Sequence, residues 1–347
     1  MFEGKNTRVK SLILRAGNDI LPRQNRQKPS WRVEICMRTR LLFFIAAASV
    51  ALSTPMLSQN LPDVVWAQPG DFNPLGCGCP FTSFAFSHDS KRIASLGFPN
   101  RSVMIWRVKD GALIKSFDWE LTDFPACVAF SPEGELLAAG GEGGIVLGRL
   151  SDRTLPVLWP AGGERVTCLA FSPSGELLAS AGGRLRLWDV KNRTLLDTLP
   201  DDYLAVSCIA FSPDGALLAS GSYDATVKIW RVADRGLLRT LPGESYRWIN
   251  SVAFSPDGQT LAVATAGCTC FVPDVGPIPP SVKLWRVKDG TTLWTNTNYN
   301  YSINAVAFAP GGDTLLTSSS QPPLRILRVQ DGSRLMDLDD TWQPGQD

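Results

Sequence analysis

Bulky apolar residues alternate with small or polar residues in short segments of this chain, and the alternation predicts β-strands. In residues 206–211, Ile209 and Phe211 point to one side of the segment, whereas Cys208 and Ala210 point to the other. A side-chain period of two residues is typical of a strand. One side can therefore carry bulk, and the other permits the close approach of a neighbouring segment.

Each such segment runs into a similar turn phrase, whose fullest form is Phe-Ser-Pro-Asp-Gly. In the copy that starts at Phe211, Pro213 presets the φ of the second turn position and Gly215 tolerates a positive φ, so the phrase predicts a chain reversal. The phrase begins at Phe86, Phe130, Phe171, Phe211, Phe254 and Phe308. The steps between copies are 40 to 44 residues, apart from the last, which is 54.

Further turns divide each repeat into four short strands. Asp-Gly pairs at Asp110, Asp289 and Asp331 predict hairpins between the third and fourth strands. A period just above forty residues built from short strands is typical of a β-propeller, in which each repeat forms one blade. We therefore predict an all-β propeller of four-stranded antiparallel blades over residues 81–339, with six blades favoured and seven as the alternative.

Four of the predicted third strands end in tryptophan, at Trp106, Trp188, Trp230 and Trp285. With the turn phrases, these residues make the chain from about residue 80 to residue 339 resemble WD-repeat propellers. The resemblance implies a rigid interaction platform for a protein or peptide, with no enzymatic activity and no cofactor, although fold alone does not identify the partner. It also implies structural roles for these tryptophans and for Phe130, Phe171, Phe211 and Phe254.

The chain departs from the WD-repeat pattern at two places. The Asp that follows the Trp is kept only as Asp189, since Arg107, Arg231 and Arg286 stand in the other copies. The Gly-His pair before the first strand is absent, because the single histidine, His88, lies in a turn phrase. We therefore expect no hydrogen-bonded network of Asp, His, Ser and Trp, and a greater dependence on apolar burial between blades.

The charge balance and the residue inventory argue against several functions. With 34 basic and 33 acidic residues, the net charge of +1 does not steer the chain towards nucleic acid or an anionic surface. One histidine in a turn argues against Ser-His-Asp and Cys-His catalysis. No glycine-rich phosphate loop runs from a strand into a helix, and we predict no metal site.

The alternative function is an exported enzyme that acts on a sugar or lactone through paired carboxylates at the central channel. Several acidic residues precede first strands, although no spacing singles out a pair and solvated loop residues are the simpler interpretation. The candidates are Asp118, Glu120, Asp123, Asp201, Asp202 and Glu244.

The segment before the repeats has the form of a secretory signal. Basic residues in Met37 to Arg40 precede an apolar run from Leu41 to Leu52, which is too short to span a membrane comfortably. We interpret residues 1–36 as a leader before the true start, 37–57 as the signal and 58–80 as a linker, with 340–347 as a tail. Export to the periplasm or the exterior is the prediction; an uncleaved membrane anchor and a buried strand are the alternatives.

Cysteines fall into two main groups. Cys127, Cys168 and Cys208 occupy one position of successive first strands, where other repeats have Ser251 and Ala305, so we expect small, buried and inert thiols. Two Cys-x-Cys pairs, at Cys77 and Cys79 and at Cys268 and Cys270, lie before the first blade and in a long proline-rich insertion of the fifth. We predict disulfides for these pairs in an exported protein, with a zinc site or free thiols as alternatives.

Aromatic residues are concentrated in the connections that lead into first strands. On an exposed propeller face, Trp and Tyr serve as anchors for a peptide, a protein loop or a sugar, although packing between blades is an equally good interpretation for any one of them. Trp159 is one of these residues. The residues that we predict to bind are Trp119, Tyr203, Tyr246, Trp248, Tyr299 and Tyr301.

Overall fold

The predicted meanders are present as six antiparallel sheets of four strands each, in a computed structural model of the chain. It describes residues 81–97, 102–117, 126–151, 157–200, 205–243, 247–272, 276–319 and 324–338. In every sheet the strands are paired in chain order, so each sheet is a meander and corresponds to one blade. The prediction of an all-β propeller with six blades is confirmed.

The strand boundaries follow the repeats. Blade 1 contains β1 (Phe81–Phe86), β2 (Arg92–Gly97), β3 (Val103–Arg107) and β4 (Leu113–Phe117). Blade 2 contains β5 (Cys127–Phe130), β6 (Leu136–Gly141), β7 (Gly144–Arg149) and β8 (Val157–Trp159). Blade 3 contains β9 (Val166–Phe171), β10 (Leu177–Gly182), β11 (Arg186–Asp189) and β12 (Thr194–Thr198).

The other three blades follow the same plan. Blade 4 contains β13 (Val206–Phe211), β14 (Leu217–Ser222), β15 (Val227–Arg231) and β16 (Leu237–Leu241). Blade 5 contains β17 (Ile249–Phe254), β18 (Thr260–Thr265), β21 (Val282–Arg286) and β22 (Thr292–Asn296). Its insertion forms a separate hairpin of β19 (Cys268–Val272) and β20 (Gly276–Ile278). Blade 6 contains β23 (Ile303–Phe308), β24 (Thr314–Ser319), β25 (Leu324–Arg328) and β26 (Arg334–Leu338).

The core lies between consecutive blades, where the first strands pack side by side. Five apolar clusters lie one at each contact between consecutive blades, from the contact of blades 1 and 2 to that of blades 5 and 6. A sixth cluster, around Trp106, lies within blade 1. Packing of this kind is not found between the described parts of β23 and β1. The predicted structural residues Phe130, Phe211 and Phe254 are buried in these clusters, and Phe171 is partly buried against one of them.

Small residues permit this close packing. A Cβ added to Gly221 would lie 2.4 Å from the Ile249 side chain and 2.7 Å from the Cys208 sulfur. Hydrogen bonds also cross between first strands: the Asn250 side chain donates to the Ile303 carbonyl at 2.9 Å, and the Val306 N–H donates to the Ser251 hydroxyl at 3.3 Å. The glycine and serine of the repeat therefore set the distance between neighbouring blades.

Part of the network that we expected to be missing is present. The indole N–H of Trp230 donates to the Ser220 hydroxyl at 2.9 Å, and Trp106 and Trp188 make equivalent bonds of 2.8 Å. The prediction of a complete loss is wrong for this part, because Ser and Trp are diagonal neighbours on the paired second and third strands and do not need the histidine. All four predicted tryptophans are buried.

Trp159 packs between blades, which is one of the two interpretations of these aromatic residues. It is the last residue of β8, is buried, and stacks on Trp188 of the next blade with ring centroids 5.5 Å apart. Blade 2 has Gly148 at the position of the third-strand tryptophan. Trp159 therefore belongs to the core between blades 2 and 3, and not to an exposed connection.

Candidate binding surface on the loop face

The connections that lead into first strands and those that join second to third strands open on the same side of a propeller, which we call the loop face. Two of the predicted binding residues lie there as expected: Trp248 is 57% exposed and Tyr301 is 45% exposed. Tyr246, Tyr203 and Trp119 lie outside the described residues. The surface is therefore anchored on the entries to blades 5 and 6.

Tyr299 is a different case, because it is only 6% exposed. Its hydroxyl lies 2.9 Å from the Thr317 hydroxyl of β24, and the Arg325 guanidinium lies over its ring, 4.8 Å from the centroid. Burial raises the pKa of this phenol. Tyr299 therefore packs into blade 6, which is the alternative interpretation of these aromatic residues, and offers little surface to a partner.

Trp248 has an aromatic neighbour that the sequence analysis did not include. Tyr223, in the connection between β14 and β15, is 44% exposed and meets Trp248 edge to face, with centroids 5.5 Å apart and planes at 76°. Backbone bonds fix both residues: Tyr223 N–H donates to Ala205, and the Trp248 carbonyl accepts from Ala266. The Ser-Tyr-Asp turn after the second strand was the available signal, because that turn also opens on the loop face.

A cleft lies beside this pair, at the loop-face end of the contact between blades 4 and 5. Its volume is about 280 Å³ with the solvent-open mouth included. Gly243 forms part of the wall, where an added Cβ would come within 1.5 Å of the Ala225 carbonyl oxygen. The lining residues are Ala225, Val227, Leu241, Pro242, Gly243, Arg247, Ile249, Val263, Thr265, Lys283 and Trp285.

The cleft contains an arginine that is fixed by hydroxyl groups. Arg247 is 6% exposed, and its Nη1 donates to the Ser281 hydroxyl at 2.8 Å. The Ser281 hydroxyl lies 3.0 Å from that of Thr265, whose oxygen also accepts from the Ser281 N–H at 3.0 Å. Lys283 is a second basic residue in the lining. The cleft therefore combines these two basic residues with a mainly apolar wall.

The opposite face, formed by the turns between third and fourth strands, has paired charges instead. Arginine at the place of the WD-repeat Asp pairs with an Asp three residues later: Arg107 with Asp110 and Arg231 with Asp234, both at 2.8 Å. Arg286 pairs with Asp289 at 3.0 Å. The replacement of Asp by Arg is therefore compensated within each hairpin, although such exposed pairs contribute little stability.

Of the three cysteines predicted to be buried, Cys127 of β5 and Cys208 of β13 are buried, whereas Cys168 of β9 is partly buried against the core. Burial raises the pKa of Cys168 to about 11 and that of Cys208 to about 12, and it raises the pKa of Cys127 as well. A protonated, buried thiol is a poor nucleophile. Cys77 and Cys79 lie outside the described residues, and only the backbone of Cys268 and Cys270 is described, so the predicted disulfides stay a prediction.

The six candidate channel carboxylates all lie outside the described residues. The structure therefore does not test whether two of them lie close enough together for the alternative enzymatic function. Within the described ranges, no group of three or more His, Cys, Asp or Glu side chains is placed to hold a metal ion. The same part of the chain contains no helix with the length and hydropathy needed to cross a membrane. The arrangement that the structure does provide is an exposed aromatic surface next to a small cleft.

A protein-family model described as "WD domain, G-beta repeat" matches four segments of the chain, residues 113–147, 159–189, 193–231 and 235–272. The first segment covers the fourth strand of blade 1 and the first three strands of blade 2, and the third covers the corresponding strands of blades 3 and 4. Each sequence repeat therefore spans two neighbouring blades. No curated protein matches the chain.

Proposed function

Because this chain is a WD-repeat propeller with six blades, we propose that it is a non-enzymatic interaction platform whose loop face binds a protein or peptide segment. WD repeats generally mediate protein interactions, which supports this class of function. Three exposed aromatic residues, Tyr223, Trp248 and Tyr301, form the contact surface that we assign. The partner is a protein segment with apolar or aromatic side chains.

The main support for this proposal is the distribution of large exposed apolar side chains. Among the described residues, the large exposed side chains that are aliphatic lie in fourth strands, on the outer edges of the blades. They are Leu113, Ile114, Leu158, Leu195, Leu237, Leu238, Leu293, Leu335 and Met336. The large exposed side chains that are aromatic all lie in connections on the loop face. Trp and Tyr are enriched among residues that dominate binding energy, whereas scattered exposed leucines are normal on any protein.

The aromatic pair is suited to binding because it is already organised. Tyr223 and Trp248 support each other edge to face, and edge-to-face pairs add about 0.5–1.5 kcal/mol beyond the burial of area. Their backbones are held by hydrogen bonds to Ala205 and Ala266. A partner therefore meets side chains that lose little freedom on binding.

We also propose that the protein acts after export and that its Cys-x-Cys pairs form disulfides. The apolar run that begins at Leu41 and the presence of paired cysteines support this location. The intact mass of protein from the native host, alkylated in denaturant without reduction, tests both points. Loss of the leader with four cysteines unalkylated agrees with the proposal, whereas a retained leader with every thiol alkylated contradicts it.

Capture of partners from a host extract tests the surface. We expect Trp248→Ala and Tyr223→Ala to reduce capture about tenfold or more, because truncation of an anchor residue commonly costs about 2 kcal/mol or more. Leu158→Ala is the matched control, since Leu158 is exposed but lies on the outer edge of blade 2. Equal capture by Trp248→Ala and the wild type, at unchanged Tm, would overturn the assignment of this surface.

A further inference from the structure

We propose that residues 61–66, Leu-Pro-Asp-Val-Val-Trp, lie between blades 6 and 1 and close the ring of the propeller. This segment is outside the described residues, and the proposal follows from the two blade surfaces that border the seam, which we define as the space between blade 6 and blade 1. At the other five contacts between consecutive blades, apolar side chains of one blade pack directly on the next. The seam differs from these contacts on both of its sides.

The side of blade 1 that borders the seam consists of four repeat positions. They are the turn phenylalanine, its cross-strand partner on the second strand, the third-strand tryptophan and the valine two residues after it. In blade 5 these positions pack on blade 4, and they are Phe254, Leu261, Trp285 and Val287. In blade 1 they belong to a separate cluster that includes no described residue of blade 6, and they are Phe86, Ile93, Trp106 and Val108.

The second-strand and valine positions of blade 1 are as well buried as those of a packed contact. Ile93 is 2% exposed and Val108 is 3% exposed, whereas Leu261 and Val287 of blade 5 are 0% and 6% exposed under the cover of blade 4. An apolar side of a sheet is stable only when another element covers it. In blade 1 that cover is a segment other than blade 6.

The side of blade 6 that borders the seam has a bulky residue where the other blades have alanine. Leu316 of β24 and its cross-strand neighbour Ile326 are both partly exposed. The equivalent pair of blade 5, Ala262 and Leu284, is buried in the contact with blade 6. A leucine here holds the neighbouring blade farther away, so the seam is wider than the other contacts. The alanines at this position, each 0% exposed, are Ala94, Ala138, Ala179, Ala219 and Ala262.

The hydrogen bonds that join consecutive first strands are also not continued by the side chain of blade 6. The Val128 N–H of blade 2 donates to the Ser83 hydroxyl of blade 1 at 3.2 Å, in the same way as Val306 of blade 6 donates to Ser251 of blade 5. Blade 6 has Ala305 at the position of these serines, and an alanine side chain has no acceptor to offer to blade 1. The seam therefore lacks this polar link between blades.

Blade 6 has a buried hydroxyl group on the same side. Ser318 of β24 is 0% exposed, and its hydroxyl has no hydrogen-bond partner among the described residues. It takes the place of Gly221 in blade 4, where an added Cβ would meet Ile249, the first residue of the next blade. A buried hydroxyl without a partner costs free energy. A backbone carbonyl of an inserted segment is the acceptor that this side needs.

Residues 61–66 suit the seam in composition and in position. Four of the six are apolar, and the one charged residue is Asp63. β1 borders the seam and begins at Phe81, so the preceding chain enters the propeller there. The 14 residues between Trp66 and Phe81 reach up to about 46–50 Å when extended, whereas a six-residue strand is about 20 Å long. The chain is therefore long enough to turn back along the seam.

The C-terminal tail suits the seam less well. Residues 339–347 contain one large apolar residue, Trp342, and three aspartates. They follow β26, which is the outermost strand of blade 6. Blade 6 also has its full set of four strands from residues 303–338, so it does not need a further strand from either end of the chain. The segment that we assign lies between two blades and extends neither sheet.

Photo-crosslinking tests the position of the segment. The photoreactive residue p-benzoylphenylalanine replaces Ile326 in the full chain, since this partly exposed position accepts a larger side chain. Proteolysis before aspartates then separates residues 63–70 from residues 71–88, which contain β1. We expect mass spectrometry to find Ile326 linked to residues 63–70. The same replacement at Leu158, exposed on the outer edge of blade 2, is the matched control and gives no such link.

A substitution in the segment tests its burial. We expect Trp66→Asp to lower the Tm of the full chain by about 5 °C or more, because a charge replaces a large side chain packed between two blades. Gln68→Asp adds the same charge two residues later, outside the segment, and leaves the Tm unchanged. The second variant separates the loss of packing from a general effect of charge.

Three results would overturn the proposal. Links from Ile326 to residues 339–347 would assign the seam to the C-terminal tail, and links between two molecules, separated by size on a denaturing gel, would assign it to a second copy of the chain. Links confined to residues 71–88 would show that blade 1 lies directly against blade 6. Equal Tm values for Trp66→Asp and the wild type would exclude burial of the segment. None of these results depends on partner binding at the loop face.

Discussion

The hydroxyl of Tyr299 lies 2.9 Å from the hydroxyl of Thr317, which joins the connection that enters blade 6 to the second strand of that blade. Tyr301, two residues later in the same connection, is exposed. Two tyrosines in one short segment therefore have different roles, since one holds the blade together and the other faces solvent. The Arg325 guanidinium over the Tyr299 ring adds to the first role.

Replacing Tyr299 by Phe removes this hydroxyl contact and keeps the ring. We expect the free energy of unfolding to fall by about 0.5–1.5 kcal/mol, the usual net contribution of one hydrogen bond, because Thr317 retains the Arg325 carbonyl as a partner. Urea unfolding followed by fluorescence measures the loss. Tyr301→Phe is the matched control and leaves stability unchanged; equal losses for the two variants would contradict the assigned roles.

Replacing Ser220 by Ala leaves the buried indole N–H of Trp230 without its acceptor. A buried donor that loses its partner costs about 1–3 kcal/mol, so we expect a loss of stability in that range by urea unfolding. Ser95→Ala and Ser180→Ala remove the equivalent bonds of blades 1 and 3 and should cost similar amounts. In a Trp230→Phe background, Ser220→Ala should cost much less, and a loss of the same size there would show that the bond is not the cause.

The three first-strand cysteines should be unreactive in the native protein. Because burial raises the pKa of Cys208 to about 12 and that of Cys168 to about 11, almost no thiolate is present at pH 8. Iodoacetamide at pH 8 should leave Cys127, Cys168 and Cys208 unmodified in buffer and alkylate all three in denaturant. Rapid modification of Cys208 in the folded protein, read by mass spectrometry of its tryptic peptide, would contradict this prediction.

Protonation of Asp289 should contribute to unfolding of the protein in acid. Hydrogen bonds from Thr291, with help from Arg286, lower its pKa from 3.8 to about 2. A lowered pKa in the folded state gives stability that is complete above the unfolded value near 4 and is lost as the pH falls towards 2. The stability difference between the wild type and Asp289→Asn should therefore be constant from pH 7 to pH 5 and shrink between pH 4 and pH 2. A difference that does not change with pH would exclude this role.

The repeats could be predicted from the sequence because each depends on local patterns. The turn at Phe211 to Gly215 forms as expected, with Gly215 at φ +71°, and its hydrogen bond from Gly215 N–H to the Ser212 carbonyl closes the reversal. Blade number follows from counting such turns. The Trp–Ser bonds were missed because we treated the four-residue network as a unit, although one pair of residues can keep its bond when another is lost.

The surface could be predicted only in part, because exposure depends on contacts distant in sequence. Nothing near Tyr299 shows that it reaches Thr317, 18 residues away on another strand. Tyr223 could have been found by applying the loop-face argument to the turns after second strands. The cleft between blades 4 and 5 could not be predicted, because it is a property of the packed blades.

The exposed aliphatic side chains of the fourth strands have a consequence for how the protein behaves when concentrated. Each of these strands is the last in its sheet, so an edge is available to a strand from another molecule. In four blades, the fourth strand itself contains a charged residue that an incoming strand would have to lie against: Lys115, Asp197, Arg239 or Asp337. β8 and β22 have no charged residue. Self-association of the folded protein should therefore begin at these two edges, and a lysine introduced there is the simplest way to raise its solubility.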